Sequence, residues 1–110
     1  MSWTTHHRRE DAMRDVIATV DARADGRLPM DLPGVAETFG DPRTLLGALQ
    51  MRWHTRLAGR IERELDQAPH DPAAAIAAAR RLTARELPGV RAVLDRHGER
   101  QRRPGNENTT

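Results

Sequence analysis

The chain has 110 residues, with 18 basic and 16 acidic side chains and therefore a formal net charge of only +2. Every one of these basic residues is arginine, cysteine is absent, and serine occurs only at Ser2. The composition predicts one small domain and excludes disulfides, thiolate metal sites and a cysteine nucleophile. Because no apolar run reaches the length of a signal peptide core or a membrane span, we expect a cytoplasmic location and no membrane partner.

The first element in chain order is a helix. Alanine is abundant and no segment alternates like a strand, so the pattern predicts an all-α protein, a compact bundle of four to five helices around one long central helix. The first helix is expected to follow Trp3, with Thr4 or Thr5 as its N-cap and Gly26 as its terminator. Its apolar positions recur at helical spacing: Met13, Val16, Ile17, Val20 and Ala24.

Residues 27–42, RLPMDLPGVAETFGDP, are predicted to form a connector. Prolines and glycines interrupt regular structure here, so the segment can hold at most one short helix, from Pro33 to Phe39, capped by Asp31. Its apolar residues are too many for a solvated loop: Leu28, Met30, Leu32, Val35 and Phe39. We therefore expect the connector to pack against the core, which Phe39 and Trp53 anchor.

Two Asp-Pro pairs predict the starts of the next two helices, because aspartate is a favoured N-cap and proline suits the first helical position. Asp41-Pro42 opens the longest helix, 42–66. Asp71-Pro72 opens the fourth helix.

The last predicted helix follows a bend, since Pro88 disfavours helical backbone at Leu87. We expect this fifth helix to end at Gly98. Residues 1–98 would then form a single helical domain. Residues 99–110 carry no apolar side chain, and this composition predicts a disordered basic and polar tail.

A row of arginines repeats along the long helix, in the segment RWHTRLAGRIEREL. We call Arg52, Arg56, Arg60 and Arg63 the arginine row. It runs beside an apolar ridge: Leu49, Trp53, Leu57, Ile61 and Leu65. Three interpretations are open: a solvated edge whose guanidinium groups pair with Glu62, Glu64 and Asp66, a protein interface, or a set of phosphate contacts.

The opposite side of the long helix is made of small residues. Its members are Ala48, Met51, Thr55, Ala58 and Gly59. A helix with large residues on one side and small ones on the other is typical of a central helix with partners on both sides. We therefore regard Met51, Thr55, Ala58 and Gly59 as candidates for close helix contact, and this surface predicts a homodimer.

Five residues are candidates for a metal site: His6, His7, Glu10, Asp11 and His54. His6 lies four residues before Glu10, and His7 four before Asp11, so either pair could share an ion on one helix face. No catalytic motif is present, and we expect neither a catalytic residue nor a cofactor. The sequence therefore predicts a protein that is not an enzyme.

Residues 34–95 resemble in part the helical region of TetR-family regulators. The similar motifs are Phe39-Gly40-Asp41 before Leu45-Leu46, Asp71-Pro72 at a helix start, and Pro88-Gly89-Val90 through Asp95. The resemblance implies a helical ligand-binding and dimerisation region. Residues 28–38 are interrupted by Pro29 and Pro33, so an intact helix-turn-helix reading head does not fit and no DNA-contacting residue carries over.

The leading hypothesis is a small non-enzymatic helical binding or regulatory protein that self-associates through helix surfaces, with a protein partner as a further option. One alternative is a nucleic-acid-associated protein that uses the arginine row, whose binding would fall steeply with salt. The other alternative is a metal- or small-ligand-binding helical protein, whose melting would depend on the metal.

Overall fold

The computed structural model describes the backbone of residues 2–108 and the side chains of residue 4 and residues 6–98. Within this range it has five helices and no strand, as the sequence predicts. They are α1 (Ser2–Arg23), α2 (Val35–Phe39), α3 (Pro42–Gln67), α4 (Pro72–Glu86) and α5 (Pro88–Asn108). None of the helices in the described range combines the length and the apolar character needed to cross a membrane.

Helices α3 and α4 begin where the Asp-Pro pairs predict. The Asp41 carboxylate accepts a hydrogen bond from the Thr44 N–H at 2.8 Å, and the Asp71 carboxylate accepts one from the Ala74 N–H at 3.2 Å. Each bond satisfies a backbone donor that a helix start leaves unpaired. The hydrogen bond from the Thr44 backbone also holds the pKa of Asp41 below its ordinary value.

The predicted ends of α1 are wrong. The helix already begins at Ser2, so Thr4 and Thr5 lie in its first turn and neither is the N-cap. It ends at Arg23, and Ala24 then takes a left-handed backbone with φ of 51°. Gly26 also has a positive φ, but it lies within the connector and does not terminate the helix.

Asp31 does not cap the short helix. Helix α2 begins at Val35 after Gly34, whose φ is 86°, and no side chain bonds to its start. The Asp31 carboxylate instead accepts two hydrogen bonds from the Arg23 guanidinium, at 2.9 and 2.8 Å. This bidentate bond lowers the pKa of Asp31 and raises that of Arg23, because it stabilises the charged form of both groups.

Helix α5 extends beyond its predicted end at Gly98, and its backbone is helical as far as Asn108. One glycine inside a helix costs only about 1 kcal/mol relative to alanine, and the Glu, Arg and Gln residues that follow are good helix formers. The predicted tail, 99–110, lies outside the residues whose side chains are described.

The core lies where α1, α2, α5 and the first half of α3 meet. Its buried members are Met13, Val16, Val20, Val35, Phe39, Leu45, Leu49, Trp53, Leu87, Val90 and Val93. Phe39 and Trp53 are 4% and 6% exposed, so both predicted anchors are confirmed. Leu28, Met30 and Leu32 pack against the same cluster, which confirms that the connector covers the core.

Helix α4 turns back along the second half of α3 after the short turn at residues 68–71. The molecule measures 48 × 47 × 25 Å. Since one helix with its side chains is about 10–12 Å across, the shortest dimension holds about two helix layers. In this two-layer arrangement, other helices cover one side of α3, and its opposite side faces solvent.

Candidate functional site

Helix α3 has a buried face, an uncovered face and a charged edge. The buried face carries Leu45, Leu49 and Trp53. On the uncovered face, six residues at alternating steps of four and three form what we call the seam: Thr44, Ala48, Met51, Thr55, Ala58 and Glu62. Residues at this spacing lie along one side of a helix. Met51, in the middle of the seam, is 67% exposed.

The candidates for close helix contact all lie on or beside this seam. Met51, Thr55, Ala58 and Gly59 are exposed. Within the described part of the chain no helix covers Met51, Thr55, Ala58 or Gly59, so the prediction that α3 also has a partner on this side stays a prediction. The two-layer arrangement leaves this side of α3 facing solvent.

Two glycines flank the seam inside the helix. A Cβ atom added at Gly47 or at Gly59 would meet no atom within 4 Å. Glycine in a helix interior destabilises the helix by about 1 kcal/mol relative to alanine. Packing within the described residues does not require either glycine, although both reduce the stability of α3.

An open groove runs between α1 and the seam. Its volume is about 590 Å³. The lining residues are Arg9, Glu10 and Met13 of α1 and Thr44, Gly47, Ala48, Met51, Arg52 and Thr55 of α3. Because four seam residues line it, the groove and the seam form one continuous surface.

The arginine row makes ion pairs with other helices. Arg52 Nη2 lies 3.3 Å from Glu10 Oε2 of α1. Arg56 Nε and Arg60 Nη2 lie 3.6 and 3.1 Å from the two carboxylate oxygens of Glu86, the last residue of α4. Arg63 is exposed and forms no ion pair with a described side chain.

The pairing partners predicted for the arginine row are wrong. Glu62, Glu64 and Asp66 lie on α3 itself, and the carboxylates that the guanidinium groups contact come from Glu10 and Glu86. Glu86 was not predicted from the sequence as a partner of the arginine row. The short turn at 68–71 makes α3 and α4 antiparallel, so the end of α4 lies beside the middle of α3. That hairpin geometry is the signal that could have identified it.

A second, smaller cavity of about 290 Å³ opens along the arginine row. It is lined by Arg52, Thr55, Arg56, Gly59, Arg60, Arg63 and Glu86. The structure therefore brings all four predicted arginines to one cavity. Its walls carry four guanidinium groups, one hydroxyl and one carboxylate, and the excess of donors suits an anion.

The metal candidates do not converge. The His6 and His7 rings are 6.4 Å apart, Glu10 pairs with Arg52, and Asp11 pairs with Arg14. Among the residues searched, those with described placement, no group of three His, Asp or Glu side chains could hold an ion. His54 is exposed on α3 and completes no such group.

Comparison of the chain with protein-family models, with curated proteins and with solved structures gives no match. The resemblance of residues 34–95 to TetR-family regulators stays a prediction.

Proposed function

We propose that the chain is a non-enzymatic helical protein that acts as a homodimer, with two copies joined through the α3 seam. The observation that carries the proposal is the uncovered seam on the longest helix, with Met51 67% exposed at its centre. Methionine is among the residues enriched at protein–protein interfaces, and the small side chains beside Met51 leave it accessible to a second copy.

An antiparallel arrangement about a two-fold axis makes the seam complementary to itself. If Met51 faces Thr55 of the second copy, the same register places Ala48 opposite Ala58 and Thr44 opposite Glu62. The largest seam side chain then meets a smaller one, and the Glu62 carboxylate can accept a bond from a threonine hydroxyl. A two-fold interface requires this reciprocal matching.

The two flanking glycines lie on opposite sides of the seam. Neither Gly47 nor Gly59 places a side chain beside the contact, so the second helix could approach closely. Helices that meet through small residues pack at the short end of the usual 8–10 Å separation. The dimer thus supplies a reason for two glycines that the single chain does not require.

The charge arrangement supports this proposal over the nucleic-acid alternative. Three arginines of the row are already paired with Glu10 and Glu86, which reduces the positive charge available to a polynucleotide. The formal net charge of +2 is also small for a nucleic-acid-binding domain.

The proposal predicts that Met51→Glu abolishes the dimer, because two carboxylates would face the centre of the seam. Light scattering over a range of concentrations should give twice the 12.3 kDa chain mass for the unmodified protein and a single chain mass for the variant. Gln50→Glu is the matched control, since it adds the same charge at an exposed neighbouring position outside the seam. It should remain a dimer.

Circular dichroism should show equal helicity for both variants, so that loss of mass reports the interface and not unfolding. A monomeric unmodified protein at the highest concentration would refute the dimer. A dimer that tolerates Met51→Glu would refute the seam as its contact surface.

A further inference from the structure

We propose that the cavity along the arginine row binds the phosphate group of a small ligand, and that Glu86 is a built-in counter-ion that such a ligand displaces. The site lies on the charged edge of α3, beside the seam. All its lining residues come from one chain, and of these only Thr55 also belongs to the seam.

The first support is the charge imbalance at the cavity. Its wall carries four guanidinium groups and one carboxylate, and Glu10 supplies a second carboxylate through Arg52. Four positive charges against two negative ones leave a surplus of two. A phosphate monoester carries close to two negative charges at neutral pH, so one phosphate group would neutralise the surplus positive charge at the cavity.

The second support is the way Glu86 is shared. One carboxylate forms an ion pair with Arg56 at 3.6 Å and accepts a hydrogen bond from Arg60 at 3.1 Å. Glu86 is also the last residue of α4, where the helix dipole disfavours negative charge. A phosphate has more acceptor oxygens than this carboxylate and can take over the same guanidinium donors without breaking a backbone bond.

The third support is access. Gly59 leaves the wall open because an added Cβ would meet nothing within 4 Å. Arg63 has no ion pair with a described side chain, so its guanidinium is ready for an incoming anion. The volume of about 290 Å³ lies at the small end of ligand pockets and suits a phosphate with a small substituent.

The size and surroundings of the site favour a small phosphate compound over a polynucleotide. Phe39 and Trp53, the aromatic residues with described side chains, are buried, so neither offers a surface on which a base could stack. The row is also only three helical turns long, and its middle arginines share one carboxylate.

The test is calorimetric titration of the full chain with pyrophosphate at low ionic strength. Glu86→Gln should tighten binding about threefold, because it removes the competing charge and preserves the side-chain shape. Arg60→Gln should weaken binding about fivefold, because a charge-assisted hydrogen bond is lost. Arg43→Gln is the control: it removes an exposed arginine from the same helix but outside the cavity, and it should bind as the unmodified chain does.

Equal weakening by Arg43→Gln and Arg60→Gln would overturn the proposal, since binding would then follow net charge alone. Weaker binding by Glu86→Gln, with the melting temperature unchanged, would overturn the role of Glu86 as a counter-ion. If Glu86→Gln melts early, Arg63→Gln replaces it. Weaker binding is then expected, and unchanged binding would contradict the site.

A single-stranded oligonucleotide is titrated in parallel. Tighter binding than pyrophosphate, with a steep salt dependence, would overturn the small-ligand assignment in favour of a polynucleotide. Light scattering on the same samples records the oligomeric state. A chain that is dimeric but does not bind phosphate would refute the phosphate site alone. A chain that binds phosphate but is monomeric would refute the dimer alone.

Discussion

At the scale of single residues, Gly89 fixes the closest approach between two helices. Its N–H donates to Asp21 Oδ1 at 2.7 Å, which ties the start of α5 to α1. A Cβ atom at this position would collide with the backbone of Val20 and Asp21. Gly89 is therefore required by packing, whereas Gly59 in α3 has open space around it.

We predict that Gly89→Ala destabilises the protein by about 2 kcal/mol, the usual cost of overpacking, because backbone atoms cannot yield as a flexible side chain can. Gly59→Ala is the comparison: in a monomeric sample it should raise stability by up to about 1 kcal/mol through helix propensity. Urea denaturation measures both. Equal effects of the two substitutions would contradict the close contact at Gly89.

At the scale of helices and turns, local hydrogen bonds explain where α3 and α4 begin, and small side chains explain how they pack. The buried positions of α4 are Ala75, Ala79 and Thr83, while Ile76 is 36% exposed. The Thr83 hydroxyl is buried and donates to the Ala79 carbonyl at 2.8 Å. Ala75 is buried while its larger neighbour Ile76 is not, because close approach of α3 favours the smaller side chain.

The N-cap of α3 predicts a specific acid sensitivity. Because the folded-state pKa of Asp41 is lower than its unfolded-state value, the cap contributes fully above that unfolded-state pKa. The contribution is then lost as the pH falls through the folded-state pKa. Asp41→Asn keeps a capping side chain that does not titrate, so its thermal stability should fall less steeply below pH 4 or so. Parallel acid profiles for both proteins would contradict this role.

At the scale of the whole molecule, the thin shape determines which surfaces are free. With 25 Å for the shortest dimension, the bundle buries one side of α3 and leaves the seam and the arginine row at the surface. The two surfaces are adjacent but differ in chemistry: the seam is small and apolar at its centre, while the row is cationic. The two proposals therefore assign these surfaces to different partners, a second copy and an anion.

A dimer held by the seam should melt at a temperature that depends on protein concentration, because dissociation accompanies unfolding. For a chain of this length, we expect the melting temperature to rise by about 3 °C for a tenfold increase in concentration. Met51→Glu should remove this dependence. A melting temperature independent of concentration in the unmodified protein would indicate that it melts as a monomer.

The sequence by itself determined the helical class, the starts of α3 and α4, the bend before α5 and most of the core. These features depend on hydrogen bonds within one turn and on apolar spacing along one helix, which a single segment specifies. The predictions that failed, such as Asp31 as a cap, concern groups that found a better partner elsewhere, here Arg23.

Only the tertiary structure decided which surfaces of the chain are covered. Two similar pentapeptides, DLPGV at 31–35 and ELPGV at 86–90, illustrate this. Gly34 of the first is exposed with a positive φ, while Gly89 of the second is buried against α1. The sequence located the arginine row and the small-residue side of α3. It could not assign Glu10 and Glu86 as ion-pair partners or show that the seam is uncovered, because both depend on how separate helices pack.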